Sequence, residues 1–282
     1  MVIKNYNSLI ETAKKQKGNK TVAVAMANES SVLKAVVKSV REGIVDAILV
    51  GNKNEMEEIA SEQNFSLSGL NIIDIDNEKE AAKICVNLIL EKKAHFLMKG
   101  FIKTSTLLKA VFKEKSLKER DVISHVAVLD IPKRDRLFFY TDGGIVEKPN
   151  KEQKVAIIEN LISVAFSLGV KNPSFGFISP YRDFFEEENL EIIETIKEKY
   201  PEVTVHKALE PGEAFKNHDG LIVNAIEECN IVTKAFTLFT DTVFAGIIAG
   251  TKVPICLVSR SDTEKNKAAS LALGAIFANR GE

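Results

Sequence analysis

Two stretches of the chain carry groups that could hold a phosphate. One is Lys99-Gly100-Phe101-Ile102-Lys103-Thr104-Ser105-Thr106-Leu107-Leu108-Lys109, which follows an apolar run. Glycine after a strand lets backbone approach a ligand. Thr104, Ser105 and Thr106 can cap the next helix and hydrogen-bond phosphate oxygens. Lys99 and Lys109 add positive charge. No Walker loop is present, because the GxxxxGK spacing does not occur. The other stretch runs from Pro254 to Phe277. Ile255-Cys256-Leu257-Val258 reads as a buried strand, and Ser259-Arg260 closes it. Ser261 stands three residues before Glu264, the spacing of a helix capping box. The strand thereby delivers a hydroxyl and a guanidinium to the start of a helix, where free N–H groups and the helix dipole favour an anion. An arginine can grip phosphate oxygens with two parallel hydrogen bonds. Both stretches also read as ordinary capped β–α turns with solvated lysines, and the residues alone leave that choice open.

Other candidates have blander alternatives. Asp142-Gly143-Gly144 could set a carboxylate at a strand end, or form a simple turn. His125 precedes an apolar strand, where a hydrogen-bonded structural role competes with that of a base. His95, His206 and His218 lack metal-ligand spacing, so no metal site is expected. No GxGxxG follows a strand, which argues against a dinucleotide.

The elements that must position these groups follow from hydrophobic pattern. Apolar runs at 21–26, 47–50, 72–75 and 94–98 alternate with amphipathic helices, among them one capped by Asn77. Continuous apolar strands between helices predict a parallel α/β sheet covered on both faces. The pattern then changes: 126–131 and 136–140 flank Pro132-Lys133-Arg134-Asp135 as a β-hairpin. A long helix over 151–168, a strand over 174–179, an acidic helix over 183–200 and strands at 203–206 and 221–223 follow. Residues 226–250 read as mostly helical. The expected organisation is two α/β domains, with residues 1–125 plus 252–282 forming a discontinuous domain I and 126–251 forming domain II.

The 282 residues suffice for a sizeable core, and 45% hydrophobic with 27% charged residues is ordinary for a globular protein. The net charge of −1 gives no reason to expect nucleic acid or an anionic membrane as partner. Three dispersed cysteines without a CxxC pair fit a reducing cytoplasm. No signal peptide and no membrane span are expected.

The ordered blocks MKGFIKTSTLLKAVF, SHVAVLDIP, DRLFFYTDGG, FAGIIAG and GTKVPICLVSRSDTEKNKAASLALG resemble the phosphate acetyl/butyryltransferase family, and more closely its butyryltransferase branch. The resemblance spans residues 20–280. It implies two α/β domains of the isocitrate/isopropylmalate dehydrogenase type, a three-layer sandwich with the site in the cleft between the domains. It implies reversible conversion of a short- or branched-chain acyl-CoA (butyryl or isobutyryl) plus phosphate to acyl phosphate plus CoA, in a cytoplasmic homodimer. CoA is then a substrate and no cofactor is bound. Carried over by motif, Arg260 binds the phosphoryl group and Ser259 donates to the developing charge. Lys99, Gly100, Thr104, Ser105, Thr106 and Lys109 match the KGxxxT block, and Asp142 matches the aspartate of the DGG turn. Glu227 and Asn230 match the ExGN block. The acetyltransferase branch has a general-base aspartate seven residues after the serine. Asn266 stands there in this chain, which leaves Asp262 as the nearest candidate base. Val146 replaces an asparagine, Cys229 replaces a glycine, and a GPLxxDxA segment is shortened near 203–215. These departures bear on acyl specificity and keep an impaired paralogue that senses CoA or acyl phosphate as an alternative. A dehydrogenase of the related fold would need an aspartate cluster and nicotinamide motifs that the chain lacks.

Overall fold

A computed structural model of the chain describes residues 2–16, 18, 20–178, 186–223 and 225–279. The chain falls into two compact units. Leu9–Glu119 and Thr251–Glu282 form one, called the outer-segment unit below; Met1–Ser8 and Arg120–Gly250 form the other, the central unit. The first helix, α1 (Tyr6–Lys14), buries Leu9, Ile10 and Ala13.

The outer-segment unit contains β1 (Thr21–Ala25), β2 (Asp46–Gly51), β3 (Asn71–Asp74), β4 (Phe96–Lys99) and the short β11 (Ile255–Cys256). They pair in the order β3-β2-β1-β4-β11, all parallel. Val22 to Ala25 and Phe96 to Met98 have no exposed surface, as strands covered on both faces must. The helices are α2 (Ser30–Arg41), α3 (Lys53–Glu62), α4 (Glu78–Leu90), α5 (Thr104–Lys113) and α10 (Glu264–Ala278). Asn77 caps α4 as its sequence predicts, accepting from the N–H groups of Lys79 and Glu80. α10 packs against α2, and α4 against α5. The chain winds outward from β1 to β3, then returns to lay β4 on the other side of β1. Such a reversal opens a crevice at the carboxyl ends of the two strands, the usual ligand position in open α/β sheets.

The central unit contains β5 (Ser124–Asp130), β6 (Phe138–Thr141), β7 (Ser174–Ile178), β8 (Thr204–Leu209), β9 (Gly220–Ile222) and β10 (Val243–Ala249), in the order β10-β5-β6-β9-β7-β8. The predicted hairpin is present as an antiparallel pair, with Ala127 opposite Tyr140. Its helices are α6 (Lys151–Ser167), α7 (Glu186–Lys199), α8 (Pro211–Asn217) and α9 (Ile226–Phe239). Ser179 and residues 183–185, the ends of the predicted strand and acidic helix, lie outside the described residues.

The helical reading of 226–250 is corrected. Only α9 is helical, and Val243–Ala249 is β10, buried throughout and paired antiparallel with all of β5. A short run that is apolar at every position fits a buried strand and a buried helix equally by periodicity. The partner strand decides it, and sequence alone does not reveal the partner. No helix among the described residues is long and apolar enough to cross a membrane.

Candidate active site

The carboxyl ends of β1, β4 and β11 carry most of the candidate residues. Gly100, directly after β4, belongs to the β1–β4 junction. Its N–H donates to the Ala25 carbonyl at 2.9 Å, and the Phe101 N–H donates to the Met26 carbonyl at 2.6 Å. A Cβ on Gly100 would collide with the Met26 carbonyl oxygen and lie 2.8 Å from that of Ala25. The glycine therefore admits the neighbouring strand end, a close approach that the sequence does not reveal. Lys99 is half-buried, and its Nζ donates to the Gly100 carbonyl at 3.2 Å. Burial holds its pKa below the ordinary lysine value, helped by the nearby Arg260 and Lys267 and opposed by Glu29.

α5 begins at Thr104, and Lys103 occupies the cap position without a side-chain cap bond. The expectation that Thr104, Ser105 and Thr106 cap this helix is thus corrected. They lie in its first turn, Ser105 exposed and the two threonines half-buried, while Lys109 is exposed further along. The reason is the shape of the turn: Lys103 has extended backbone and leaves the helix to start one residue later.

Ser259 and Arg260 follow β11 in a tight turn and are exposed. The Ser259 N–H donates to Asp262 Oδ2 at 2.6 Å, and the Asp262 N–H donates to the Ser259 carbonyl at 3.1 Å. Asp262 is buried, so its carboxylate closes the turn that presents Ser259. The Ser259 and Ser261 hydroxyls are 3.1 Å apart. The Arg260 guanidinium lies over the Phe101 ring, 4.5 Å from its centroid, a cation–π contact that parks the charge beside the β4 end. α10 is capped by Thr263, whose Oγ1 accepts from the Asn266 N–H, and not by Ser261. Asp262 draws the Ser259 amide into the turn, which delays the helix by two residues. Sequence reasoning missed Lys267. This lysine is 1% exposed, and its Nζ donates to the Asp262 carbonyl at 2.8 Å, to that of Arg260 at 3.3 Å and to that of Ser259 at 3.4 Å. Glu29, the N-cap residue of α2, stands 3.7 Å from the same ammonium and accepts from the Ser31 hydroxyl.

The remaining candidates lie in the central unit. The Asp142 carboxylate is buried and takes up backbone donors. Oδ1 accepts from His125 at 2.9 Å, Gly144 at 3.0 Å and Ile145 at 3.3 Å, and Oδ2 accepts from Val146 at 2.9 Å. Burial raises its pKa, and the backbone donors oppose that rise. Gly143 fits because a Cβ there would strike the His125 ring. Glu227 and Asn230 are exposed on α9, with Cys229 buried between them. The thiols of Cys85 and Cys229 are pushed up to about 12 by burial, and that of Cys256 is also raised by burial, so none is poised as a thiolate nucleophile. Among the described residues no group of three His, Cys, Asp or Glu side chains could hold a metal ion.

Lys99, Gly100, Ser259, Arg260 and Asp262 are thus gathered at one end of one sheet. Two cations, an exposed hydroxyl and a helix start there could bind a phosphoryl group and stabilise negative charge as it develops. Among relatives, the phosphate butyryltransferase of Clostridium acetobutylicum is 32% identical over 98% of this chain and 99% of its own length. That of Clostridium beijerinckii is 32% identical over 99% of each. A branched-chain phosphotransacylase of Enterococcus faecalis superimposes with a TM-score of 0.79 at 27% identity, covering 92% of this chain and 99% of that one. The family model described as phosphate acetyl/butaryl transferase matches residues 6–95 and 79–198. The chain therefore belongs to the phosphate acetyl/butyryltransferase family.

Proposed function

We propose that the chain is a phosphotransacylase converting butyryl- or isobutyryl-CoA and phosphate to the acyl phosphate and CoA. The observation that carries this is the pairing of Arg260 with Lys99 at the β1–β4 crevice, beside the turn that presents Ser259. Arg260 grips the phosphoryl oxygens and Lys99 adds a second charge. Thr104, Ser105, Thr106 and Lys109 line the route of phosphate or CoA along α5. In the direction of CoA acylation, the CoA sulfur bonds to the acyl carbon and the carbonyl electrons move to oxygen. Ser259 donates to that oxyanion. The carbonyl reforms as the bond from carbon to phosphate oxygen breaks, and phosphate leaves. A free thiol has a pKa of about 8.5, and nearby Lys99 and Arg260 favour its thiolate. No covalent enzyme intermediate is needed, in keeping with the high thiol pKa values.

Asp262 we assign to holding the Ser259 turn, since its carboxylate is occupied there, and Asp142 to ordering the loop that follows β6. Glu227 and Asn230 we place on the CoA side by motif. The two compact units serve as the enzyme's two domains. We further propose a cytoplasmic homodimer. Support for the dimer comes from α9, where the apolar side chains of Ile231, Leu238 and Phe239 are 70%, 71% and 84% exposed. Incubating purified protein with phosphate and a panel of acetyl-, butyryl-, isobutyryl- and isovaleryl-CoA tests the reading. Acyl phosphate should form fastest from the four- and five-carbon thioesters. Tight CoA binding without turnover would instead identify a sensor.

A further inference from the structure

Lys267 ends the first turn of α10 with its ammonium inside the protein. A buried cation is costly unless its donors are satisfied, and an apolar side chain of similar length would fill the same space without that cost. The ammonium instead draws in the carbonyls of Ser259, Arg260 and Asp262. A trans peptide is planar, with its N–H antiparallel to its C=O. The three peptides concerned are trans, since the one cis bond among the described residues is Thr141–Asp142. Gathering those three oxygens on Lys267 therefore aims the N–H groups of Arg260, Ser261 and Thr263 away from its ammonium. Successive backbone N–H groups aimed outward form an anion-binding concavity.

We infer that Lys267 is a positioning residue: by collecting the carbonyls of the Ser259–Asp262 turn, it holds the backbone amides of that turn in the form that binds phosphate. This role rests on the reading of Ser259 and Arg260 as the phosphoryl site. Glu29 balances the ammonium from the N-cap of α2. An arginine at 267 keeps the charge, but a planar guanidinium cannot converge on three carbonyls as an ammonium does.

The test is calorimetric titration of inorganic phosphate, and separately of CoA, into the wild-type, Lys267→Met and Lys267→Arg proteins, with thermal melts to confirm folding. Phosphate should bind Lys267→Met about tenfold more weakly and Lys267→Arg about threefold more weakly, the size expected for misplacing one or two hydrogen bonds to an anion. CoA affinity should change by less than about twofold. A folded Lys267→Met protein with wild-type phosphate affinity overturns the inference. So does an equal loss for phosphate and CoA, which is what a purely structural lesion would give. If Lys267→Met does not fold, Lys267→Arg decides alone: weaker phosphate binding with unchanged CoA binding supports the role, and unchanged phosphate binding overturns it. Binding is read independently of turnover. A wild-type protein that binds phosphate yet makes no acyl phosphate defeats the enzymatic reading while leaving this result standing, and one that binds no phosphate overturns the inference itself.

Discussion

Replacing Gly100 with alanine should cripple the β1–β4 junction. The added Cβ collides with the Met26 carbonyl oxygen and comes within 2.8 Å of the Ala25 carbonyl oxygen. Both obstacles are backbone, so no flexible side chain can move aside. Relief requires β4 to retreat from β1 by about 1 Å, the order of shift that overpacking forces on a core. That movement breaks or stretches the bonds from Gly100 to Ala25 and from Phe101 to Met26. Two buried backbone hydrogen bonds are worth about 2 kcal/mol, and overpacking adds about 1–3 kcal/mol. The expected loss is about 3–5 kcal/mol out of a typical 5–15 kcal/mol. Urea unfolding followed by circular dichroism measures it. Gly212→Ala is the milder comparison: its Cβ would meet the Glu210 carboxylate at 3.1 Å, a side chain that can shift, so the loss should not exceed that of its cap bond to the Glu213 amide, about 1 kcal/mol. Gly100→Ala should also raise the phosphate KM in whatever fraction folds, because Lys99 and Phe101 move with the backbone. A Gly100→Ala protein within about 1 kcal/mol of wild type would refute the close-approach reasoning.

Asp142→Ala should cost roughly 2–3 kcal/mol in the same unfolding assay, since it strands the buried amide of His125 and leaves the part-buried amides of Gly144 and Val146 to solvent. Burial raises the Asp142 pKa above 3.8, so its contribution to stability is present at low pH and falls as pH rises through the folded value; Asp142→Asn should remove that slope in pH-dependent melts. Lys99 titrates below its ordinary 10.5, so phosphate KM should rise as pH increases through that lowered value, whereas Lys99→Arg should stay flat over the same range; parallel profiles would exclude Lys99 from the phosphate site. A double Leu238→Glu, Phe239→Glu protein should sediment as a monomer while the wild type sediments as a dimer, and a dimeric variant would remove α9 from the interface.

The strands β1, β2 and β4 were legible because each holds an unbroken apolar run, Val22 to Ala25, Ala47 to Val50 and Phe96 to Met98, and helices with clear periodicity separate them. The hairpin was legible from the proline-containing turn between two apolar runs. β10 was not, because Val243–Ala249 carries no periodicity and only its pairing with β5 makes it a strand. At the site, Ser259 and Arg260 stood out through residue type and position after a strand. Their supports did not. Ser261 has good capping spacing, yet Asp262 binds the Ser259 amide and hands the cap to Thr263. Lysine normally reads as a solvated residue, so Lys267 is recognisable only once three carbonyls converge on it. One signal was available: Lys267 lies in line with Ala268, Leu271 and Ala272, on a helix with almost no polar face. Asp142 likewise looks like a turn former until the four amides around its carboxylate are seen.

The most direct measurement is phosphate-dependent release of CoA from butyryl-CoA, with wild-type and Arg260→Ala proteins assayed side by side. The expected result is acyl phosphate formation by the wild type, and a kcat/KM for phosphate about a hundredfold lower in Arg260→Ala, corresponding to loss of a charge-assisted clamp of about 3 kcal/mol. Absence of CoA release by the wild type, or equal phosphate kinetics in the two proteins, would contradict the assignment of this turn as the phosphoryl site.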